Sequence, residues 1–179
     1  MLKKKNALLL IVDVQGKLAH LMHEKERLFD ILQKLIRGIR VLGIPVLWVE
    51  QNPAGLGPTI PEVADLLTDS TPISKMSFSS CRNDRFLKAL KELDRNQVLI
   101  AGIESHICVY QTAVDLVDMG LEVQVVTDAI SSRTPENKAI GLQKMRDAGA
   151  SWTSVETALF ELLGVAEGEV FKALLKIVK

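Results

Sequence analysis

Short apolar runs alternate along this chain with segments in which apolar residues recur at helical spacing. The run Ala7-Leu8-Leu9-Leu10-Ile11-Val12 is continuous, which is typical of a strand buried on both faces. Further strands are predicted at Ile44–Val49, Thr71–Met76, Gln97–Ala101, Leu121–Thr127 and Ser151–Thr153. Helices are predicted at Leu28–Leu42, Glu62–Leu67, Arg85–Leu93, Ser105–Met119, Glu136–Ala148, Thr157–Leu163 and Val170–Val178. The alternation predicts a three-layer α/β/α Rossmann-like fold with a mostly parallel six-stranded sheet.

The segment 50–61 holds three prolines and two glycines, which predicts a long loop with the composition of a binding loop. No repeat, low-complexity stretch or interdomain linker interrupts the chain. Its 179 residues therefore predict one domain spanning residues 1–179. The core of that domain is expected at about residues 6–163, followed by a C-terminal helix at about residues 168–178.

Charge and cysteine usage narrow the function classes. The chain has 22 basic and 22 acidic residues and a formal net charge of +0, so no basic excess points to nucleic acid, and no basic amphipathic helix points to a membrane surface. The apolar run that follows the N-terminal lysines is too short for a signal peptide. Cys81 and Cys108 have neither metal-type spacing nor a disulfide framework. We therefore expect a cytoplasmic protein with no nucleic-acid or membrane partner.

Three polar residues stand at the ends of predicted strands: Asp13, Lys75 and Cys108. The carboxyl ends of strands in an open α/β sheet converge on one crevice, so these side chains are expected to meet. An ammonium and a helix N-terminus would lower the pKa of the thiol, and a carboxylate could take its proton and later activate water. Backbone N–H groups in the turn before Cys108 could bind a developing oxyanion.

Each residue alone also has a purely structural explanation. An aspartate after a strand often caps a loop or a helix, a lysine is usually a solvated surface charge, and a free cysteine is often a small core residue. The combination carries more weight than its members, although spacing alone does not establish it.

Four ordered motifs resemble one known family. They are Leu10-Ile11-Val12-Asp13-Val14-Gln15, Ser74-Lys75-Met76-Ser77-Phe78-Ser79, Ala101-Gly102-Ile103-Glu104-Ser105-His106-Ile107-Cys108-Val109 and Thr127-Asp128-Ala129-Ile130-Ser131-Ser132-Arg133. Together they resemble the isochorismatase-like cysteine hydrolase superfamily over about Asn6 to Leu163. The loop that follows Glu50 further resembles isochorismatase-domain-containing hydrolases of unassigned substrate.

This resemblance implies a catalytic triad of Asp13, Lys75 and Cys108, and a homo-oligomer. It also implies a non-proline cis peptide at Ile103–Glu104, which would help to form an oxyanion site. Residues expected to line the substrate pocket are Gln15, Gln51, Phe78, Glu104 and Ser105.

The resemblance does not extend to a metal site. Nicotinamidases of this superfamily bind a divalent metal through an aspartate and histidines near the second strand, where this chain has Glu50, Gln51 and Asn52. We therefore expect neither a metal nor another cofactor.

The resulting hypothesis is a metal-free cysteine hydrolase that acts on a small molecule, at an amide or related carbonyl carbon, through a covalent Cys108 intermediate. Two alternatives stay open. One is a non-catalytic interaction protein on the same fold. The other is a magnesium-dependent phosphatase of haloacid dehalogenase type, which is disfavoured because Gln15 stands where that chemistry needs a second acid.

Overall fold

Six parallel strands form the centre of the structure, a computed structural model that describes residues 1–179. The strands are β1 (Ala7–Val12), β2 (Val46–Gln51), β3 (Ile73–Lys75), β4 (Gln97–Ile103), β5 (Glu122–Ser131) and β6 (Ser151–Thr153). They are arranged in the order β3-β2-β1-β4-β5-β6, and every neighbouring pair is parallel. The predicted six-stranded α/β/α fold is therefore confirmed.

Nine α-helical segments connect and cover these strands. They are α1 (Gly16–Ala19), α2 (Lys25–Val41), α3 (Pro53–Leu56), α4 (Pro61–Ala64), α5 (Asp84–Leu93), α6 (Tyr110–Asp118), α7 (Pro135–Asp147), α8 (Val155–Leu163) and α9 (Gly168–Val178). No helix combines the length and the apolar character needed to cross a membrane.

The continuous apolar run of β1 reflects burial on both faces of the sheet. Successive side chains of a strand point to opposite faces. The odd-numbered residues from Ala7 to Ile11 pack in one apolar cluster with α2, α8 and α9, and the even-numbered residues from Leu8 to Val12 pack in a second with α5, α6 and α7. The helices therefore cover the two faces as separate layers.

Several element boundaries differ from the predicted ones. The helix predicted over Ser105–Met119 begins with a wide π-helical turn, Ser105–Val109, and only then continues as α6. β5 runs four residues beyond the predicted end at Thr127, and the predicted loop 50–61 contains α3. Hydrophobic periodicity detects an apolar face, but it does not distinguish a π-helical turn from an α-helical one.

The strand order places a crevice between β1 and β4. These two strands are neighbours, and the chain continues from them in opposite directions across the sheet, which makes this the topological switch point where such sheets bind ligands. Asp13 directly follows β1, and the turn that holds Cys108 follows β4. Gly102, with φ of 116°, lies so close to β1 that a Cβ there would collide with the carbonyl oxygen of Val12.

Candidate active site

Lys75, the last residue of β3, is held by four oxygen atoms. Its Nζ donates to Asp13 Oδ2 at 2.7 Å and to Gln51 Oε1 at 2.9 Å. The carbonyl oxygens of Ser77 and Phe78 lie at 3.2 and 3.1 Å. The Lys75 and Asp13 side chains are 0% and 2% exposed. A buried ammonium is tolerated only when it is paired and hydrogen-bonded, and this set of acceptors meets that need.

Asp13 has an unusual backbone and a carboxylate that is only half satisfied. Its φ is 52°, in the left-handed region that aspartate tolerates better than most residues, and its N–H donates to the Val49 carbonyl at 3.2 Å. Oδ2 binds Lys75, whereas the buried Oδ1 has no hydrogen-bond partner. Burial raises the pKa of Asp13 above its usual 3.8, with the Lys75 charge and the Cys108 thiol acting in the opposite direction. Buried polar atoms without a partner are rare in folded proteins, and a catalytic role is one explanation for them.

Cys108 lies in the π-helical turn and is 7% exposed. Burial raises the pKa of its thiol above the ordinary range, and the negative charge of Asp13 adds to the effect, while Lys75 opposes it. The expected lowering of this pKa is therefore wrong. The prediction counted Lys75 and the helix N-terminus, but it did not include desolvation or the carboxylate that already neutralises Lys75. Burial and the Asp13 charge therefore both favour the protonated form of the thiol.

The Ile103–Glu104 peptide bond, which precedes this turn, is cis. The Glu104 side chain points back into the protein, where Oε1 accepts from the Arg133 N–H at 3.2 Å and from Arg133 Nε at 3.1 Å. The Glu104 carbonyl accepts from the N–H groups of Ile107 and Val109 and so closes the turn. Both the carboxylate and the carbonyl oxygen of Glu104 therefore accept hydrogen bonds within the protein. Its carboxylate binds Arg133, and its position lining a substrate pocket stays a prediction.

Two other predicted pocket residues, Gln15 and Ser105, are buried and hydrogen-bonded to backbone, and their place in a substrate pocket stays a prediction. Gln15 donates to the carbonyls of Gln51 and Gly57 at 3.1 and 2.7 Å and accepts from the Gln51 N–H at 2.6 Å. Ser105 donates to the Ser131 carbonyl at 2.9 Å. Both side chains therefore tie neighbouring segments of backbone together. They follow apolar runs at strand ends, where sequence alone does not distinguish an inward-facing from an outward-facing side chain.

Gln51 and Phe78 adjoin the ion pair in different ways. The Gln51 amide accepts from Lys75 and donates to the Met76 carbonyl at 2.8 Å, so it positions the ammonium. Phe78 contributes its carbonyl to Lys75, and its side chain is 55% exposed. Among the predicted pocket residues, Phe78 is the one with an exposed side chain, and its contact with a ligand stays a prediction.

Sequence reasoning missed four contributors. The carbonyls of Ser77 and Phe78 carry no side-chain signal, and Arg133 was only the last residue of a motif to which no role was given. Gly141 of α7 was also missed: a Cβ there would lie 2.5 Å from the Ser105 carbonyl oxygen. Glycine at this position lets α7 pack directly on the turn that holds Cys108.

The side chain of Glu50, near the end of β2, is hydrogen-bonded within the protein. The carboxylate of Glu50 is buried and accepts from the N–H and the hydroxyl of Thr59 at 2.7 and 2.8 Å. No group of three or more His, Cys, Asp and Glu side chains is arranged to hold a metal ion.

Residues 7–157 match the model of the isochorismatase domain. This chain belongs to the isochorismatase family. Isochorismatase domain-containing protein 2 of Homo sapiens is 34% identical over 179 residues, which is 97% of this chain and 83% of that protein. The family assignment supports a hydrolase and disfavours the phosphatase alternative.

Solved structures agree with this assignment. A structure described as MAR1 ribonuclease from Caenorhabditis elegans is 35% identical, with a TM-score of 0.92 over 99% of this chain and 91% of that one. The YcaC gene product of Escherichia coli, described as an octameric hydrolase of unknown specificity, is 25% identical, with a TM-score of 0.93 over 98% of this chain and 88% of that one.

Proposed function

We propose that this protein is a cysteine hydrolase that cleaves a small molecule at an amide or related carbonyl carbon, with Cys108 as nucleophile, Asp13 as proton acceptor and donor, and Lys75 as the group that orients Asp13. The observation that carries this proposal is the buried Oδ1 of Asp13, which has no hydrogen-bond partner and belongs to the carboxylate whose charge raises the pKa of the Cys108 thiol. A carboxylate whose pKa is raised by burial is a better proton acceptor than an ordinary one.

In the first half of the reaction, the thiol proton passes to Asp13 as the sulfur attacks the carbonyl carbon and a C–S bond forms. The tetrahedral intermediate collapses, the C–N bond breaks, and Asp13 returns the proton to the leaving amine. This leaves a thioester on Cys108. The peptide N–H groups of Glu104 and Cys108 are the proposed oxyanion donors.

Water completes the cycle. Asp13 takes a proton from the attacking water, the C–S bond breaks, and the proton returns to the sulfur as the carboxylic acid leaves. Lys75 stays charged throughout and holds the second carboxylate oxygen, so that Oδ1 remains directed at the reacting atoms.

Burial and charge favour a small substrate. Cys108 is only 7% exposed, and the chain has a formal net charge of +0, whereas an enzyme that holds RNA needs basic surface for the phosphates. The exposed side chains of Met76 and Phe78 directly follow Lys75 in sequence and offer apolar surface to a substrate. We also propose a homo-oligomer, which the octameric description of the Escherichia coli relative supports.

The test is a panel of small amides, ureides and related carbonyl compounds, assayed with the wild type, Cys108→Ala and the control Cys81→Ala. We expect turnover in the wild type and the Cys81 variant, and a loss of at least about a thousandfold in Cys108→Ala, the size seen when a nucleophile is removed. Mass spectrometry of the intact protein should detect an acyl group on the wild type and on Cys81→Ala, and none on Cys108→Ala.

Full activity in Cys108→Ala would reject the covalent mechanism. Cleavage of RNA by the wild type, with no activity on any small molecule of the panel, would reject the substrate class. Size-exclusion chromatography with light scattering measures the mass of the protein in solution. A monomeric mass would reject the proposed homo-oligomer.

A further inference from the structure

A second polar cleft opens at the carboxyl edge of the sheet, away from the reacting groups. It has a volume of about 190 Å³ and lies between the start of α2, the end of β5 and α7. Asp13, Lys75 and Cys108 are not among the residues that line it. Its polar lining comes from His23, Glu24, Arg27, Asp128, Ser131 and Lys138.

Lys138 is the least satisfied charge in this cleft. Its side chain is half-buried, yet its ammonium makes no hydrogen bond and no ion pair within the protein. Burial lowers its pKa, as does Arg27, whereas Asp128 and Glu24 raise it, so both signs of charge act on the ammonium. Withdrawing an ammonium from water without a partner is unfavourable, which leaves Lys138 available to an incoming carboxylate.

The two carboxylates are engaged to different extents. Asp128 accepts from the Val155 N–H at 3.0 and 3.3 Å and so caps α8. Glu24 is 3.5 Å from Arg27, a loose and largely exposed pair. Such pairs contribute about 0–1 kcal/mol, so a ligand can replace this one at little cost. The charged side chains of the cleft are thus two cations and two carboxylates, whose charges balance.

We propose that this cleft binds a small zwitterion with one carboxylate and one ammonium, the chemical class of the free amino acids. The carboxylate would lie toward Lys138 and Arg27, and the ammonium toward Glu24 and Asp128. A dianion such as phosphate would meet both acidic side chains, and a simple cation would meet both basic ones. The cleft is smaller than the roughly 300 Å³ at which pockets for drug-sized ligands begin, so it suits a ligand of amino-acid size.

Two hydrogen bonds of Ser131 connect the cleft to the turn that holds Cys108. The hydroxyl of Ser131 donates to the His23 carbonyl at 2.8 Å, and the carbonyl of Ser131 accepts from Ser105 at 2.9 Å. Because neither contact uses Cys108, the zwitterion site does not depend on the proposed hydrolase mechanism. Binding should therefore be unchanged in Cys108→Ala, which separates the two proposals experimentally.

The experiment is isothermal titration calorimetry of the full chain with the proteinogenic amino acids one at a time, and with acetate, methylammonium and inorganic phosphate. We expect at least one amino acid to bind in the millimolar range or better, and at least about tenfold more tightly than each of the three comparison ions. Lys138→Met should weaken that binding at least about tenfold. Lys144→Met, a control on the same helix whose ammonium lies over the Tyr110 ring, should leave it unchanged.

Lys138→Met should also fold at least as stably as the wild type, since it removes a half-buried charge that has no partner. Should it fail to fold, Arg27→Gln at the exposed rim is the second variant, with the same expected loss of binding. The proposal is overturned if no amino acid binds at millimolar concentration, if acetate or phosphate binds as tightly as the best amino acid, or if the folded variant binds like the wild type.

Discussion

Asp13 and Lys75 lie 62 positions apart in the sequence and are joined by a 2.7 Å ion pair that is closed to solvent. Asp13 directly follows β1, and Lys75 is the last residue of β3. In the sheet, β2 lies between these two strands. Gln51, at the end of β2, accepts from the same ammonium. The pair therefore ties together the ends of three adjacent strands and has a structural role beside its proposed chemical one.

The stability of this ion pair can be tested by breaking it from one side and then from both. Lys75→Met leaves the Asp13 carboxylate buried without its partner and should lower the free energy of unfolding by about 3–5 kcal/mol. Combining it with Asp13→Asn removes the stranded charge, and asparagine tolerates the left-handed backbone of position 13. The double variant should regain most of the loss in urea denaturation. Equal instability of single and double variants would contradict the charge argument.

A change of pH should affect the stability of the wild type and of the double variant Lys75→Met, Asp13→Asn differently. Burial raises the pKa of Asp13, so the native state binds its proton more readily than the unfolded chain does. The contribution of Asp13 to stability is therefore fully present below pH 3.8 and is lost as the pH rises through the raised native pKa. The free energy of unfolding of the wild type, relative to the double variant, should fall as the pH rises from below 3.8. A difference that does not change with pH would argue against a raised pKa.

Asp13→Asn should separate the reactivity of the resting thiol from catalytic turnover. The Asp13 charge raises the pKa of Cys108, and Lys75 lowers it, so the substitution should lower that pKa. Alkylation of Cys108 by iodoacetamide near neutral pH should therefore become faster. Hydrolysis should nevertheless drop by at least about a thousandfold if Asp13 transfers the protons.

Cys81 supplies an internal reference for that measurement. Burial is the main cause that raises its pKa to about 12, with Asp115 adding to it. Its alkylation rate should be slow in the wild type and unchanged in Asp13→Asn. Slower alkylation of Cys108 in the variant would show that Asp13 promotes thiolate formation even at rest.

Gly141→Ala should disturb the turn that holds Cys108. In an ordinary helix this change stabilises by about 1 kcal/mol. Here the added Cβ would lie 2.5 Å from the Ser105 carbonyl oxygen, so α7 or the turn must move. We expect kcat to fall about a hundredfold, the cost of a displacement of about 1 Å. Ile140→Ala, at the exposed preceding position, is the matched control and should keep full activity.

Gln51 provides a test of how closely Lys75 must be held. Gln51→Leu removes one of the four oxygens around the ammonium and should cost about 1–3 kcal/mol of stability. Gln51→Glu keeps the oxygen and should retain more of the stability than leucine does, measured by thermal and urea unfolding. Similar losses in both variants would mean that Gln51 acts through packing alone.

The sequence predicted the secondary-structure elements more accurately than the burial and the contacts of individual side chains. The apolar run Ala7–Val12 became β1 with the predicted bounds, because a strand buried on both faces requires apolar residues at every position. The depth of Cys108 could not be predicted, since it depends on α7 packing against a turn some thirty residues earlier through Gly141. The roles of Gln15 and Ser105 depend on which way a polar side chain turns at a strand end, and periodicity does not report that direction.

The backbone and the side chain of Phe78 have different roles. Its carbonyl oxygen holds Lys75, and any residue can supply that oxygen. Its side chain faces outward and takes no part in holding the lysine. Under the proposed function, substitutions at this position change which molecules the protein accepts while the ion pair keeps its geometry. Substrate preference can then change by this route without a change in the proposed chemistry.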